Sequence, residues 1–377
     1  MGPTPATSHP GELKKTRSPE VPSGQKRRRH VSPPANSPDS CAGGGSLEDQ
    51  FARLPDDLLV CIFARLSASA SSTSDLFYVV LSCKRFSGLC VFPLVLSKAS
   101  AKCLAVRAKK WSESAHQFLR RCALAGNLDA CYMLGMIRFY CLGSRAGGIS
   151  LMAKAAIGYH APALYSLAVI QFNGSGGSKA DKDLRAGVAL CARAAGLGHV
   201  DALRELGHCL QDGYGVRQNL LDGRRYLIQA NYKEMAAALT ASGPAESTPG
   251  VRFFASGAVA AMEPHPANRF LVEWFAEKSR AATAAEDLRL CSNRGCGRPE
   301  TRRHEFRRCS VCGAVNYCSR SCQAVDWKIV HKMECITVER WLLGGDPPAD
   351  PLAQMALPPV IPRPGGAGYG AHEVTEP

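Results

Sequence analysis

Residues 291–335 read CSNRGCGRPETRRHEFRRCSVCGAVNYCSRSCQAVDWKIVHKMEC, and this stretch decides how the chain is read. Seven cysteines and one histidine fall there in four pairs: Cys291/Cys296, Cys309/Cys312, Cys318/Cys322 and His331/Cys335, with four, two, three and three residues inside the pairs. A tetrahedral zinc site needs such short pairs, because one tight turn or one helical turn delivers two ligands to one ion. Eight ligands make two closed sites with no position left for a water, which points to structural and not catalytic zinc. The last two pairs have helical spacing, so the sequence predicts each on one face of a helix.

The order of ligands resembles the MYND zinc finger. The resemblance implies a cross-brace, with one zinc on Cys291, Cys296, Cys318 and Cys322 and a second on Cys309, Cys312, His331 and Cys335. The first pair departs from the family's usual two-residue spacing. Tyr317, Gln323 and Trp327, lying between ligands, are the candidates for gripping a proline-containing peptide, as fingers of that family do. Pro358, Val360 and Pro362 in the chain's own tail come close to such a peptide.

Working outward, length and composition set the frame. At 377 residues and 46% apolar content, two or three domains with ordinary cores are expected. No apolar run is long enough for a signal peptide or a membrane span. Ten further cysteines are scattered without pairing, as small apolar fillers in a reducing interior would be. The formal charge of +14 is spread over tail, repeats and finger. Thiolate ligation removes about three units of it, so nucleic acid is not the expected partner.

Residues 1–46 are rich in Pro, Ser and Gly and read as a disordered tail. Within it, Lys26-Arg27-Arg28-Arg29-His30 fits a nuclear import signal, or a solvated charge cluster that keeps the tail extended. Nuclear and/or cytoplasmic residence is expected. Residues 47–100 change character: Leu54-Pro55-Asp56-Asp57 opens a helix with Pro and acids in its first turn. Leu54, Leu58, Leu59, Ile62, Phe63 and Leu66 recur at helical spacing. About fifty residues are too few for a self-sufficient core, so this face needs a partner. The segment resembles an F-box. The resemblance implies docking on a Skp-type adaptor of a cullin ubiquitin ligase through Leu54, Pro55, Leu58, Ile62, Leu81 and Phe86. Ser67–Ser74, reading SASASSTS, is expected to loop out between two helices.

Residues 115–235 hold an internal repeat. Ala130, Ala163 and Ala202 occupy equivalent places, 33 and 39 residues apart, and Gly143, Gly174 and Gly213 fall where each first helix must turn. Such a period marks a helical-hairpin solenoid. It resembles the Sel-one-like branch of the tetratricopeptide superfamily, and Tyr159 and Ala168 stand where the other copies have glycine. The resemblance implies a groove open to another protein. His160, His199 and His208 read as packing or loop residues. Residues 251–290 follow as a helical spacer, running as far as Leu290 and capping the solenoid's end. Residues 344–377 read as a second disordered tail.

The order F-box, repeats, spacer and MYND finger is similar to that of a family of plant F-box proteins. It implies a mainly α chain that serves as the substrate-recognition subunit of a Skp–cullin–F-box ligase. The alternative is a nuclear transcriptional adaptor. A methyltransferase reading fails for want of a catalytic domain. The sequence offers no nucleophile triad, phosphate loop or open metal site, so the chain is expected to do no bond chemistry.

Overall fold

The computed structural model describes residues 51, 53–241, 263–281 and 289–337. The chain divides into two units, 1–53 and 54–377. Of the first only Phe51 and Arg53 are described. The basic run, the expected tails and the Pro358–Pro362 motif lie outside the described residues.

Pro55 precedes α1 (Asp56–Ser69), whose first turn carries Asp56 and Asp57. Arg85 donates to Asp56 Oδ1 at 2.7 Å and to the Leu54 carbonyl, fastening the start of α1 to α3. Helices α2 (Thr73–Ser82), α3 (Lys84–Cys90) and α4 (Pro93–Lys98) complete this small unit. The periodic apolar face of α1 divides into two. Leu59, Val60, Phe63 and Ala64 are buried, whereas Leu58 and Ile62 are exposed.

The expected loop at Ser67–Ser74 is corrected by the structure. Helix α1 runs on to Ser69, and Ser67 is buried, its hydroxyl donating to the Val95 carbonyl at 2.9 Å. Ser72 and Asp75 form a capping box that starts α2. A serine-rich stretch can stay helical here because its hydroxyls find carbonyl and cap partners inside the fold.

The repeats comprise α5 (Glu113–Leu124), then three hairpins: α6 (Leu128–Tyr140) with α7 (Arg145–Ile157), α8 (Ala161–Asn173) with α9 (Leu184–Gly196), and α10 (Val200–Asp212) with α11 (Leu220–Ala241). Each first helix begins the same way. The side chain of Asn127, His160 or His199 accepts from the N–H three residues on, at 2.9, 3.2 and 3.3 Å. Two of the three repeat histidines are therefore N-caps. The residue before each cap is left-handed: Gly126 at φ 90°, Tyr159 at 62° and Gly198 at 84°. Tyr159 thus holds a strained conformation where its counterparts are glycine.

Within hairpins the helices touch backbone to backbone. A Cβ on Gly135 would lie 3.0 Å from the Gly148 carbonyl, and one on Gly207 3.0 Å from that of Gly223. The middle copy reverses the arrangement. Ala168 takes the place of those glycines, and Gly187 on α9 accommodates the ring of Phe172.

The first helices are buried on nearly every side, Ala130–Ile137 and Ala163–Ile170 without a break. The chain's own C-terminal part covers them. Helix α12 (Pro266–Ala281) buries Ala267, Phe270 and Leu271 against α6 and the turn at Ala108–Lys110, with Trp111 edge-on to Phe270 at 5.3 Å. Two expectations are corrected. Helix α12 does not cap the solenoid's end, and the face of α6, α8 and α10 is not an open groove. Nor does the helix reach Leu290, which forms a bridge to Pro299.

Candidate metal centre and its seat on the repeats

The finger is a short framework with ligands at its corners. Strand β1 (Arg307–Arg308) pairs antiparallel with β2 (Asn316–Tyr317). Cys309 follows β1, and the Gly313 N–H donates to its carbonyl at 2.9 Å, closing a tight turn around Cys312. Cys318 follows β2, and Ser319 then caps α13 (Arg320–Asp326) by accepting from the Cys322 N–H at 3.0 Å. The pair Cys318/Cys322 therefore spans a strand-to-helix corner and not one helix face, a correction to the spacing argument. A five-residue π turn (Trp327–His331) and α14 (Lys332–Glu334) carry His331 and Cys335. The longer Cys291/Cys296 interval is turned by Asn293, which accepts from Gly295 and Cys296.

The structure gathers the eight residues into two foursomes: Cys291, Cys296, Cys318 and Cys322, and Cys309, Cys312, His331 and Cys335. Sulfur separations are 3.6 Å for Cys296–Cys318 and Cys318–Cys322 and 3.9 Å for Cys309–Cys335; Cys312 Sγ lies 3.5 Å from His331 Nε2. A tetrahedral zinc with ordinary bond lengths has S–S edges of about 3.8 Å and S–N edges of about 3.5 Å. The residues therefore fit zinc. Burial opposes ionisation of Cys309, but the Cys312 N–H, His331 and the Val311 N–H outweigh it and bring the pKa down to about 6. That favours a thiolate at Cys309, while burial and Cys309 itself push Cys335 of the same foursome up to about 12.

The first foursome is pressed into the repeats. Arg298 is buried, with Nη1 3.4 Å from Cys296 Sγ and Nη2 donating to Ser166 of α8 at 2.8 Å. Ser166 in turn meets the Tyr132 hydroxyl of α6 at 3.0 Å. Tyr165 donates to Ser319 at 3.1 Å, and Asn173 to the Cys318 carbonyl at 2.8 Å. On α10, Glu205 accepts from the Ser321 N–H at 2.9 Å and Asp201 from its hydroxyl at 2.8 Å. Burial raises the pKa of Glu205. Gly297, at φ 69°, lies against α12 so closely that a Cβ would come within 2.5 Å of the Val272 nitrogen.

These seating residues were missed in the sequence. Their only signals are an arginine amid ligands and an acidic pair at helical spacing on α10. The peptide-gripping candidates separate in the structure. Tyr317 is wholly buried and donates to Asp326 at 2.7 Å, so it belongs to the finger's interior and offers no gripping surface. Gln323 is half-buried, and Trp327, Ile329 and Met333 are exposed, Trp327 at 38%. Of the adaptor-facing candidates, Pro55, Leu58, Ile62 and Leu81 are exposed. Leu54 and Phe86 are half-buried, with Phe86 edge-on to Phe63 at 5.1 Å.

A third convergence, Asp129, His160 and His265, is a hydrogen-bonded corner and not a metal site. Both imidazoles use Nδ1 to accept a backbone N–H, from Ala163 and Ala267. The neutral rings then carry their proton on Nε2, and His160 donates it to Asp129 at 3.0 Å. Among the described residues, no helix is long and apolar enough to cross a membrane.

Comparison with known proteins agrees with this architecture. Residues 102–192 match the plant tetratrico peptide repeats family, and residues 291–335 match the MYND finger. A protein of Arabidopsis thaliana named an F-box protein is 57% identical over 346 residues, covering 86% of this chain and 90% of its own length. A second F-box protein of Arabidopsis thaliana is 59% identical over 302 residues, covering 79% and 88%. Among solved structures, a Sel1 repeat protein from Oxalobacter formigenes aligns at 20% identity and TM-score 0.29, over 34% of this chain and 96% of that one. With repeats, finger and near full-length relatives in agreement, the chain belongs to the family of plant F-box proteins that carry tetratricopeptide-like repeats and a C-terminal MYND finger.

Proposed function

We propose that the chain is the substrate-recognition subunit of a Skp–cullin–F-box ubiquitin ligase. The observation that carries this is the two-sided α1. One side closes the core, while Leu58 and Ile62, with Leu81 of α2, present large apolar side chains to solvent, Leu81 at 77% exposure. A soluble chain keeps such a patch for a partner. Pro55, Leu58, Ile62 and Leu81 would touch the Skp-type adaptor, and Leu54 and Phe86 would support that surface from behind. The finger would hold two structural zinc ions, with no coordination position left for chemistry. Transfer of ubiquitin would fall to partner subunits.

The target cannot lie on α6, α8 and α10, which the finger covers. It would be held by side chains still open, among them Trp327, Ile329, Met333 and Gln323, with a proline-containing peptide gripped at Trp327 and Gln323. Residence in the nucleus and/or cytoplasm, through Lys26–Arg29, belongs to the same proposal. The test is affinity purification with the proteasome blocked, wild type against Leu58→Asp/Leu81→Asp. Both positions are exposed, so the fold should survive. Adaptor and cullin should vanish from the variant while targets remain. Their absence from the wild type as well would overturn the reading and leave the nuclear transcriptional adaptor in its place.

A further inference from the structure

Helix α11 closes the array and, at 22 residues, outruns the 13-residue helices before it. One face packs on α10, with Ala230 fully buried. Among the described residues, the opposite face carries large apolar side chains in the open. Leu221, Ile228, Tyr232, Met235 and Leu239 are all exposed, from 52% at Met235 to 74% at Leu221. With Arg225 they recur at alternating intervals of four and three residues. That is the a/d seam of a coiled coil, running about 27 Å along the helix. The finger does not cover it: Lys328 reaches Asn231 and Glu234 on the flank.

We propose that this seam pairs with the same helix of a second copy, antiparallel, about a two-fold axis near residue 230. A two-fold interface needs a patch complementary to itself. Antiparallel pairing supplies it, setting Leu221 against Leu239, Ile228 against Tyr232 and Arg225 against Met235. Parallel pairing would set Arg225 against Arg225, two cations in one seam. The flanks agree. A seam meant for a foreign helix is specified by charges beside it, whereas here Gln229, Asn231, Ala236 and Ala238 are neutral. Of the charges on the flanks, Asp222 is paired with Arg225 at 3.3 Å and Lys328 with Glu234 at 3.1 Å within one copy, and Asp222 and Arg224 would meet Ala236 and Ala238 of the second copy. Pairing would also cover the open end that a repeat array must protect. Each pair would carry two F-box units and two fingers. The pairing does not depend on the ligase reading, because it concerns α11 and not α1.

The test is sedimentation equilibrium of the full-length, zinc-loaded chain in reducing buffer, from about 1 to 100 μM. The expected result is a concentration-dependent dimer. Ile228→Glu, placed twice in a two-fold seam, should weaken it at least about a hundredfold, with thermal unfolding unchanged only at concentrations where both chains are monomeric. Met235→Glu separates the orientations. Antiparallel pairing sets the new carboxylate against Arg225 and tightens the dimer roughly two- to five-fold, whereas parallel pairing sets two carboxylates together and weakens it. A monomer at every concentration, a dimer indifferent to Ile228→Glu, or weakening by Met235→Glu would each overturn the proposal.

Discussion

The finger's two ligand clusters use nearly the same residues in opposite surroundings. All four cysteines of the first are buried, beneath α8, α10 and α12 and beside the Arg298 guanidinium. The second leaves Cys312 and Cys335 partly open, bounded by the finger's own Tyr317 and Trp327. Four thiolates around one divalent ion carry a net charge of about −2, which a dry site must balance. Arg298 offsets about half of it in the first site, while the second, with three thiolates and a histidine, would carry about −1 and is partly open to solvent. The lesson is that one cluster belongs jointly to finger and repeats, and the other to the finger alone.

The sharpest way to break this contrast is to remove one ligand from each cluster. Cys318→Ser should lose its ion, worth on the order of 10 kcal/mol in small zinc modules, and with it the hydrogen-exchange protection of α8 and α10. Cys335→Ser should unfold the second cluster locally and leave that protection intact. Equal loss in both variants would abolish the asymmetry. Next in size, Arg298→Met keeps bulk but leaves the thiolates uncompensated. It should cost about 3 kcal/mol in denaturant unfolding, with α8 the first element to lose protection. An effect below about 1 kcal/mol would mean that the charge is balanced otherwise.

A pH series sharpens the same seat from the α12 side. Burial first, then the neighbouring His160, holds His265 down to about 4 from the ordinary 6.5. Asp129 and Tyr132 face it as well. The unfolded chain takes up this proton near pH 6.5 and the folded chain only near 4. Its contribution is therefore intact above pH 6.5 and is lost as pH falls through that window, about 3 kcal/mol in all. His265→Asn keeps an acceptor for the Ala267 N–H and removes the titration. The acid limb of stability against pH should flatten in the variant, and an unchanged slope would refute the assignment. The smallest effect is expected of Tyr165→Phe. It deletes the bond to Ser319 but keeps the stack on His199 at 4.9 Å, for about 1 kcal/mol.

What could be read in the sequence was local. The spacing inside each ligand pair arises within one turn of chain, and the repeat period within one hairpin, so interval alone reveals them. What could not be read depended on distant partners. Arg298, Asp201 and Glu205 look like any surface charges until α8 and α10 are laid against the finger. Tyr317 shows the same limit, since an aromatic residue between ligands serves equally as core or as contact. The serines after Leu66 misled for a related reason. They look like loop material, and the Val95 carbonyl that takes the buried Ser67 hydroxyl lies 28 residues away.

The cover over α6, α8 and α10 bears on how this protein can be dissected. A fragment ending before Cys291 would bare Tyr165, Ser166 and Glu205 at once, and a finger expressed alone would take Arg298 from Ser166 and Glu305 from Ser175. Neither boundary visible in the sequence is a place where the molecule can be cut. Binding assays on separated pieces would report on surfaces that the intact chain never shows.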